Sequence, residues 1–324
     1  MPPPLYCLEH ERMFTALVLA RAVHISATLV LEGVLIFRSF IAATLPLHGT
    51  PVTQAGGASF PERTPFLIAL AAIVLISGVA WVLVLGGQIG GEGVVRALTQ
   101  GVDVALLKQT QFGTLWQIRA ALALALLVIL LGATSLNPSS CLSRAVLAVL
   151  ATALTGSLAW SGHGAAKPGP AGNAHLIADV LHLIVAGIWI GGLLPFAFRL
   201  WKAARSRELS GAEHLARRFS VVAFWSVAIL VATGLVNSLS LVGSLPNLIA
   251  TTYGKVLLAK LVVFLVMLAL AAVNRLYLLP RLAPQHDWAL RSCIRLARSS
   301  EYEFWLGILL VCIVGVLGIL APPA

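Results

Sequence analysis

Charged residues are scarce in this sequence. Asp, Glu, Lys and Arg together make up 10% of the 324 residues, hydrophobic residues make up 59%, and the mean hydropathy is +0.94. A soluble domain cannot cover that much apolar surface with so few charges. Residues 180–198 contain no Asp, Glu, Lys or Arg, and about 20 apolar residues suffice to cross a bilayer. The sequence therefore predicts an all-α, polytopic membrane protein.

Sulfur-containing residues are also few. The three methionines, one of them the initiator, exclude a methionine ladder for soft metals. The sequence has no Walker motif, no glycine-rich phosphate loop and no Ser-His-Asp order, so we expect neither an ATP-driven pump nor an enzyme. The cysteines have no paired spacing and predict neither a disulfide framework nor a thiolate metal site. They are Cys7, Cys141, Cys293 and Cys312.

Apolar windows predict eight membrane spans, separated by polar connections that contain Pro, Gly or Ser. The windows are 14–37, 66–86, 115–134, 145–162, 176–198, 219–243, 255–279 and 304–321. Basic residues cluster in the loops after the fifth and seventh spans, as the positive-inside rule requires, so the net charge of +10 does not predict a nucleic-acid partner. These two loops are cytoplasmic by that rule. Both termini and the loop between spans four and five are then periplasmic.

The fifth span carries a polar face within its apolar sequence. Asp179, His182 and Trp189 share one helical face by their spacings of three and seven. Such a face is expensive in a membrane and favours a functional site over a helix–helix hydrogen bond through His182. His163 ends the fourth span and His175 opens the fifth, so His182 lies about 10 Å deeper than His175. Trp189 either caps the site by a cation–π contact or simply packs against neighbouring apolar side chains.

The first span has a similar face in its outer half. Arg21, His24 and Glu32 share it, and we expect Arg21 to pair with Asp179 or Glu32. The predicted imidazoles therefore gather near the periplasmic side. The inner half has fewer polar groups, namely Glu32 and the Asn274-Arg275 pair, and Trp160 is expected near the membrane interface.

The two halves of the chain resemble each other. We predict a first four-helix repeat over 14–162 and a second over 175–321, running parallel about an axis near the membrane normal. On that symmetry His24 and His182 face each other across the repeat interface. The aligned pairs are His24 with His182, Gly33 with Gly191, Ser77-Gly78 with Thr233-Gly234, and Thr110 to Arg119 with Thr252 to Lys260.

Imidazole nitrogen suits copper, zinc, nickel and haem iron, whereas carboxylates alone suit harder ions. Histidines with Asp179, and with His10 nearby, fit copper better than magnesium or calcium. Two alternatives stay open. One is a b-type haem redox protein with His24 and His182 as axial ligands, although an inner histidine pair for an electron chain is missing. The other is a copper sensor or storage protein that binds the metal without transporting it.

Three sequence motifs resemble the copper resistance D (CopD) family of inner-membrane proteins. They are Trp160-Ser-Gly-His163, the segment from His182 through Trp189-Ile-Gly-Gly-Leu-Leu-Pro195, and Thr252-Tyr-Gly-Lys-Val-Leu-Leu-Ala-Lys260 running on to Asn274-Arg275. The resemblance covers most of the second half and extends to the first. It implies an eight-span inner-membrane protein that moves copper, as Cu(I) or Cu(II), from the periplasm towards the cytoplasm. It also implies a separate periplasmic copper carrier resembling CopC as partner.

These observations give a set of expected site residues. The expected metal ligands are His24, His163, His175, His182 and Asp179. The expected supporting residues are Arg21, Glu32, Trp160, Trp189 and Asn274.

Overall fold

The computed structural model describes residues 5–42, 63–91, 93–132, 141–162, 169–283 and 287–323, with the backbone only at residues 5–10 and 141. These residues are helical, with no strand among them. Among the described residues, eight helices are long and apolar enough to cross a membrane, which confirms the predicted all-α polytopic fold. Spans 1 to 8 are Glu11–Ile41, Thr64–Gly90, Gln111–Gly132, Leu142–Ser161, Pro170–Ser206, Leu209–Val242, Thr252–Leu282 and Ala289–Leu317.

Several helices extend beyond their predicted windows. The helix of span 8 begins at Ala289, fifteen residues before its predicted window, because apolar windows stop where arginines begin although the helix continues. The helix of span 1 likewise begins at Leu5. Short helices Gly93–Gln100, Val102–Gln109 and Leu245–Ala250 connect spans 2 to 3 and 6 to 7.

Because an even number of crossings separates these four points, spans 1 and 5 begin, and spans 4 and 8 end, at the same side of the bundle. We call it the terminus side, and it is the predicted periplasmic side. The opposite, loop side contains the turn between Ser206 and Leu209. Spans 1, 4 and 5 have the largest buried shares and span 7 the smallest, so spans 1 and 5 form the centre of the bundle.

Glycines allow spans 1 and 5 to touch backbone to backbone. A Cβ at Gly191 would lie 3.0 Å from the Cα of Gly33, and one at Gly33 would strike the backbone of Gly187 and Gly191. Gly33 and Gly191, which the sequence comparison aligns, thus meet at this crossing. The contact falls in a π-helical segment, Gly187–Gly191, which is followed by Pro195 within the helix. Proline has no N–H to donate to the preceding turn, which favours such a wider turn.

Candidate functional site

The His182 ring is held by a threonine of span 6. His182 Nδ1 lies 3.0 Å from the hydroxyl of Thr233, and that hydroxyl donates its hydrogen to the carbonyl of Ile229 at 2.7 Å. Since a hydroxyl has one hydrogen, Thr233 accepts from His182, and Nδ1 carries the ring proton. The lone pair is then on Nε2, which is the arrangement of a metal-binding histidine oriented by a hydrogen bond to its other nitrogen.

The His24 ring is held in the same way by span 2. Its Nδ1 lies 3.0 Å from the carbonyl oxygen of Val74 and 3.2 Å from the hydroxyl of Ser77, which donates to the carbonyl of Ile73 at 2.6 Å. A carbonyl only accepts, so Nδ1 is again protonated and Nε2 again has the lone pair. Trp81 meets the ring edge-on, with 5.6 Å between centroids.

The two histidines therefore occupy equivalent settings in the two halves. Each contacts a Ser or Thr that is followed by a glycine, and each glycine faces the ring: a Cβ at Gly78 would lie 3.3 Å from Cε1 of His24, and one at Gly234 would lie 3.5 Å from Cε1 of His182. Each of these hydrogen bonds stays within its own half of the chain.

The starts of spans 3 and 7 are capped identically. The Thr110 hydroxyl accepts from the amide of Gly113 at 3.0 Å, and the Thr251 hydroxyl accepts from that of Gly254 at 3.0 Å. The capping equivalent of Thr110 is thus Thr251, one residue before the threonine that the sequence comparison aligns with it. The two caps thus have matching contacts, and the duplication itself stays a prediction.

His182 lines a cavity of about 190 Å³ near the terminus side, between the two halves. Its polar lining residues include Asp179, Asn237, Lys260 and Arg21. The Asn237 amide donates to a carboxylate oxygen of Asp179 at 2.5 Å. Lys260 lies within electrostatic reach of both Asp179 and His182. A cavity of this size has room for several water molecules. His24 is not among the lining residues.

Arg21 enters the cavity from span 1. Its guanidinium carbon lies 4.7 Å from the ring centroid of Trp81, and the guanidinium also contacts Gly318 at the end of span 8. The predicted pairing with Glu32 is not formed, because eleven residues of one helix put the two about 16 Å apart. Glu32 is fully buried beside Thr155 and Gly187.

The remaining predicted residues lie in several places. His175 is 1% exposed and outside the cavity lining, and Trp160 is partly exposed. Trp189 is buried and meets Phe264 edge-on at 6.4 Å. His163 falls outside the described residues. Within the described ranges, no three His, Cys, Asp or Glu residues lie close enough together to hold a metal ion.

A second polar cavity, of about 50 Å³, lies towards the loop side. Asn274, in the π-helical segment Asn274–Leu278, donates to the carboxylate of Glu303, and both residues are buried. Trp189 and Ser300 also line this cavity. Sequence reasoning identified Asn274 but not Glu303, which sits among arginines and polar residues at the predicted membrane edge.

Sequence reasoning also missed the partners of the histidines. Ser77 and Thr233 appeared only as repeat markers, and Lys260 only as an aligned residue. Trp81 looks like an interfacial tryptophan, yet it is 2% exposed and lies between Arg21 and His24. The repeat was the available signal, since it aligns Ser77 with Thr233 and the two histidines at nearly the same shift.

Comparison with known proteins gives two family matches that cover most of the chain. Residues 11–173 match the N-terminal domain of copper resistance protein D-like proteins, and residues 213–317 match copper resistance protein D. No solved structure matches.

Three curated relatives are similar to this chain. Copper resistance protein D of Pseudomonas syringae pv. tomato is 33% identical over an alignment of 286 residues, and the match covers 83% of this chain and 87% of that protein. Inner membrane protein YebZ of Escherichia coli is 31% identical over 76% of this chain and 81% of its own length. Copper transport protein CutJ of Bacillus subtilis is 30% identical over 57% of this chain and 34% of its own length.

Proposed function

This chain belongs to the copper resistance protein D family, and we propose that it carries copper from the periplasmic side of the inner membrane towards the cytoplasm through an intramembrane histidine site. It is a multi-pass inner-membrane protein of a copper resistance and transport family. Copper is the substrate, and the protein is not an enzyme.

The observation that carries this proposal is the setting of His182. Its Nδ1–H is used by Thr233, its Nε2 retains a lone pair, and the ring lines a cavity large enough for an ion with several waters. Neutral imidazole binds copper in either common oxidation state. Asp179 supplies a negative charge one turn away, with its orientation fixed by Asn237.

His24 is a second binding position of the same kind in the first half, and the halves are two four-helix repeats, 14–162 and 175–321. His163, which follows span 4 in the sequence, and His175, near the start of span 5, receive copper at the periplasmic mouth, from a separate carrier resembling CopC. Inward passage uses a rearrangement between the repeats near Glu32 and the Asn274–Glu303 cavity. Paired carboxylate and amide oxygens on the loop side give a departing cation a weaker site than imidazole does.

The haem alternative requires the two imidazoles to bind one haem iron from opposite faces. His24 does not line the cavity that His182 lines, and each ring has its hydrogen-bond partner in its own half. The geometry therefore favours copper over haem. A sensor or storage role differs from transport only by the absence of flux.

The test is copper uptake into cells that express the wild type, His182→Ala or His24→Ala at equal protein levels. The matched control is His214→Ala, because His214 is exposed on span 6 near the loop side. We expect uptake to fall at least about tenfold in the two site variants, as expected for loss of a metal ligand, and to be unchanged in the control. Wild-type uptake in both site variants would remove these residues from the path. Copper binding without flux in liposomes would leave a sensor or storage protein.

A further inference from the structure

The cavity beside His182 is more positive than a site for a bare metal cation should be. Arg21 and Lys260 both line it, and Asp179 is the one carboxylate among its lining residues. The carboxylate is already engaged by the amide of Asn237 at 2.5 Å. Two basic side chains thus face one carboxylate before any copper has entered.

A buried arginine near the cavity adds to this excess of basic groups, whereas the nearby helix ends do not. Arg119, 2% exposed, lies within electrostatic reach of both Arg21 and His24. It donates to the hydroxyl of Ser157 at 3.2 Å and to the carbonyl of Ser157 at 2.6 Å, and both acceptors are neutral. Arg21 contacts the end of span 8 at Gly318, where the helix dipole contributes about half a negative charge. The start of span 7, where Tyr253 lines the cavity, contributes about half a positive charge. The two helix ends therefore cancel.

A further cation in such a site is strongly unfavourable, because Coulomb repulsion between charges is little screened inside a membrane protein. An anion that enters with the metal removes the repulsion. Arg21 has a buried donor, its Nε, with no hydrogen-bond partner among the described residues, and Lys260 lines the same cavity. These two side chains are available donors for a small anion.

We propose that this cavity binds a small monovalent anion at Arg21 and Lys260, and that copper occupies His182 together with that anion rather than as a bare ion. The inference rests on the proposed function, because it specifies the form in which the substrate is bound. The cavity volume of about 190 Å³ accommodates one metal ion with one small anion.

The first measurement uses chloride as the anion and detergent-purified full-length protein. Copper binding is measured by equilibrium dialysis against Cu(II) in sodium chloride and in sodium methanesulfonate of equal ionic strength, with free Cu(II) fixed by one chelating buffer. We expect the wild type to bind copper about tenfold more tightly in chloride. Lys260→Met and Arg21→Met lose this dependence on the salt. The matched control is Lys255→Met, because Lys255 is exposed on the same helix, and it retains the dependence.

Equal wild-type affinity in the two salts overturns the proposal. So does a Lys260→Met protein that binds no copper in either salt, since Lys260 would then be a ligand through its neutral amine.

A second measurement omits copper and so separates this inference from the proposed function. Chloride should raise the melting temperature of the copper-free wild type relative to methanesulfonate, and should raise it less in Lys260→Met. A chloride effect in a protein that binds no copper supports the anion site and contradicts the transport proposal. Copper binding with no chloride effect on either affinity or melting temperature contradicts the anion site and leaves the transport proposal standing.

Discussion

At the residue scale, the two intramembrane histidines depend on the hydroxyls that hold them. Thr233 accepts from Nδ1 of His182 only because its own hydrogen is given to the carbonyl of Ile229. Ser77 has the corresponding role beside His24, where the carbonyl of Val74 also accepts from Nδ1. In both halves, a hydroxyl from a neighbouring span thus favours the tautomer in which Nε2 keeps its lone pair and can bind the metal.

Replacement of Thr233 by valine should therefore weaken copper binding without unfolding the protein. Valine has nearly the same shape but no acceptor, so the His182 ring loses both its orientation and its tautomer preference. We expect copper affinity to fall by about 10- to 100-fold, the usual cost of losing such a partner, in a competition titration with a chromogenic chelator. Thr233→Ser is the control, because it keeps the hydroxyl and should keep the affinity. Equal affinities in the valine and serine variants would show that this hydrogen bond does not prepare the ligand.

The sequence predicted His182 as a site residue because a histidine in an apolar span stands out by composition. It could not predict Lys260 or Trp81 as neighbours of the site. An aligned lysine near a span end looks like a snorkelling side chain, and a tryptophan near a span end looks like an interfacial anchor. Their position in the cavity depends on how spans 2 and 7 pack, which periodicity within one helix does not determine.

At the element scale, the crossing of spans 1 and 5 organises the bundle. Their backbones touch at Gly33 and Gly191, and the latter belongs to the π-helical segment Gly187–Gly191. Close approach of two membrane helices at small residues is a common association mode in lipid. His24 and His182 both lie nine residues towards the terminus side from these glycines, so the crossing sets the depth of both rings.

A methyl group at position 191 should disrupt this crossing. The Cβ of Gly191→Ala would collide with the carbonyl of Leu29 and lie 3.0 Å from the Cα of Gly33, and neither backbone atom can move aside alone. We expect a loss of about 1–3 kcal/mol or more of stability, the usual cost of overpacking, seen as a lower melting temperature in detergent. Gly132→Ala is the control, since nothing lies within 4 Å of a Cβ there. An unchanged melting temperature for Gly191→Ala would contradict the described contact.

Sequence reasoning predicted the eight helices well and their ends less well. Apolar windows report where a helix meets hydrocarbon, so they stop at arginines such as Arg298, although span 8 continues back to Ala289. The sequence comparison aligned Gly33 with Gly191 as corresponding positions of the two predicted repeats. That these two residues touch each other follows only from the packing of spans 1 and 5.

At the scale of the whole molecule, the two sides of the bundle differ in their buried polar groups. The larger cavity, with His182 and Asp179, opens between helix ends on the terminus side, and the smaller one, with Asn274 and Glu303, lies towards the loop side. If the terminus side is periplasmic, copper meets imidazole first and a carboxylate–amide pair last. Transport towards the cytoplasm then proceeds from a tight site to a weaker one.

This direction depends on the orientation in the membrane, which reporter fusions test. Alkaline phosphatase, active only in the periplasm, should be active when fused after Ala324 and inactive when fused after Arg207. Green fluorescent protein should give the reverse pattern. We expect the basic residues around Arg207 to hold that turn in the cytoplasm, and an even number of crossings relates the two chain ends. An active phosphatase after Arg207 would reverse the proposed order of the two cavities.

The central claim, that copper is bound by His182 within the membrane, is tested most directly by the copper content of purified protein. Wild type, His182→Ala and His214→Ala are loaded with copper under identical conditions, freed of excess metal, and analysed for copper per chain alongside their melting temperatures. The account predicts that His182→Ala loses copper relative to the wild type while it stays folded, and that His214→Ala retains the full content. Equal copper content in all three folded proteins would contradict it.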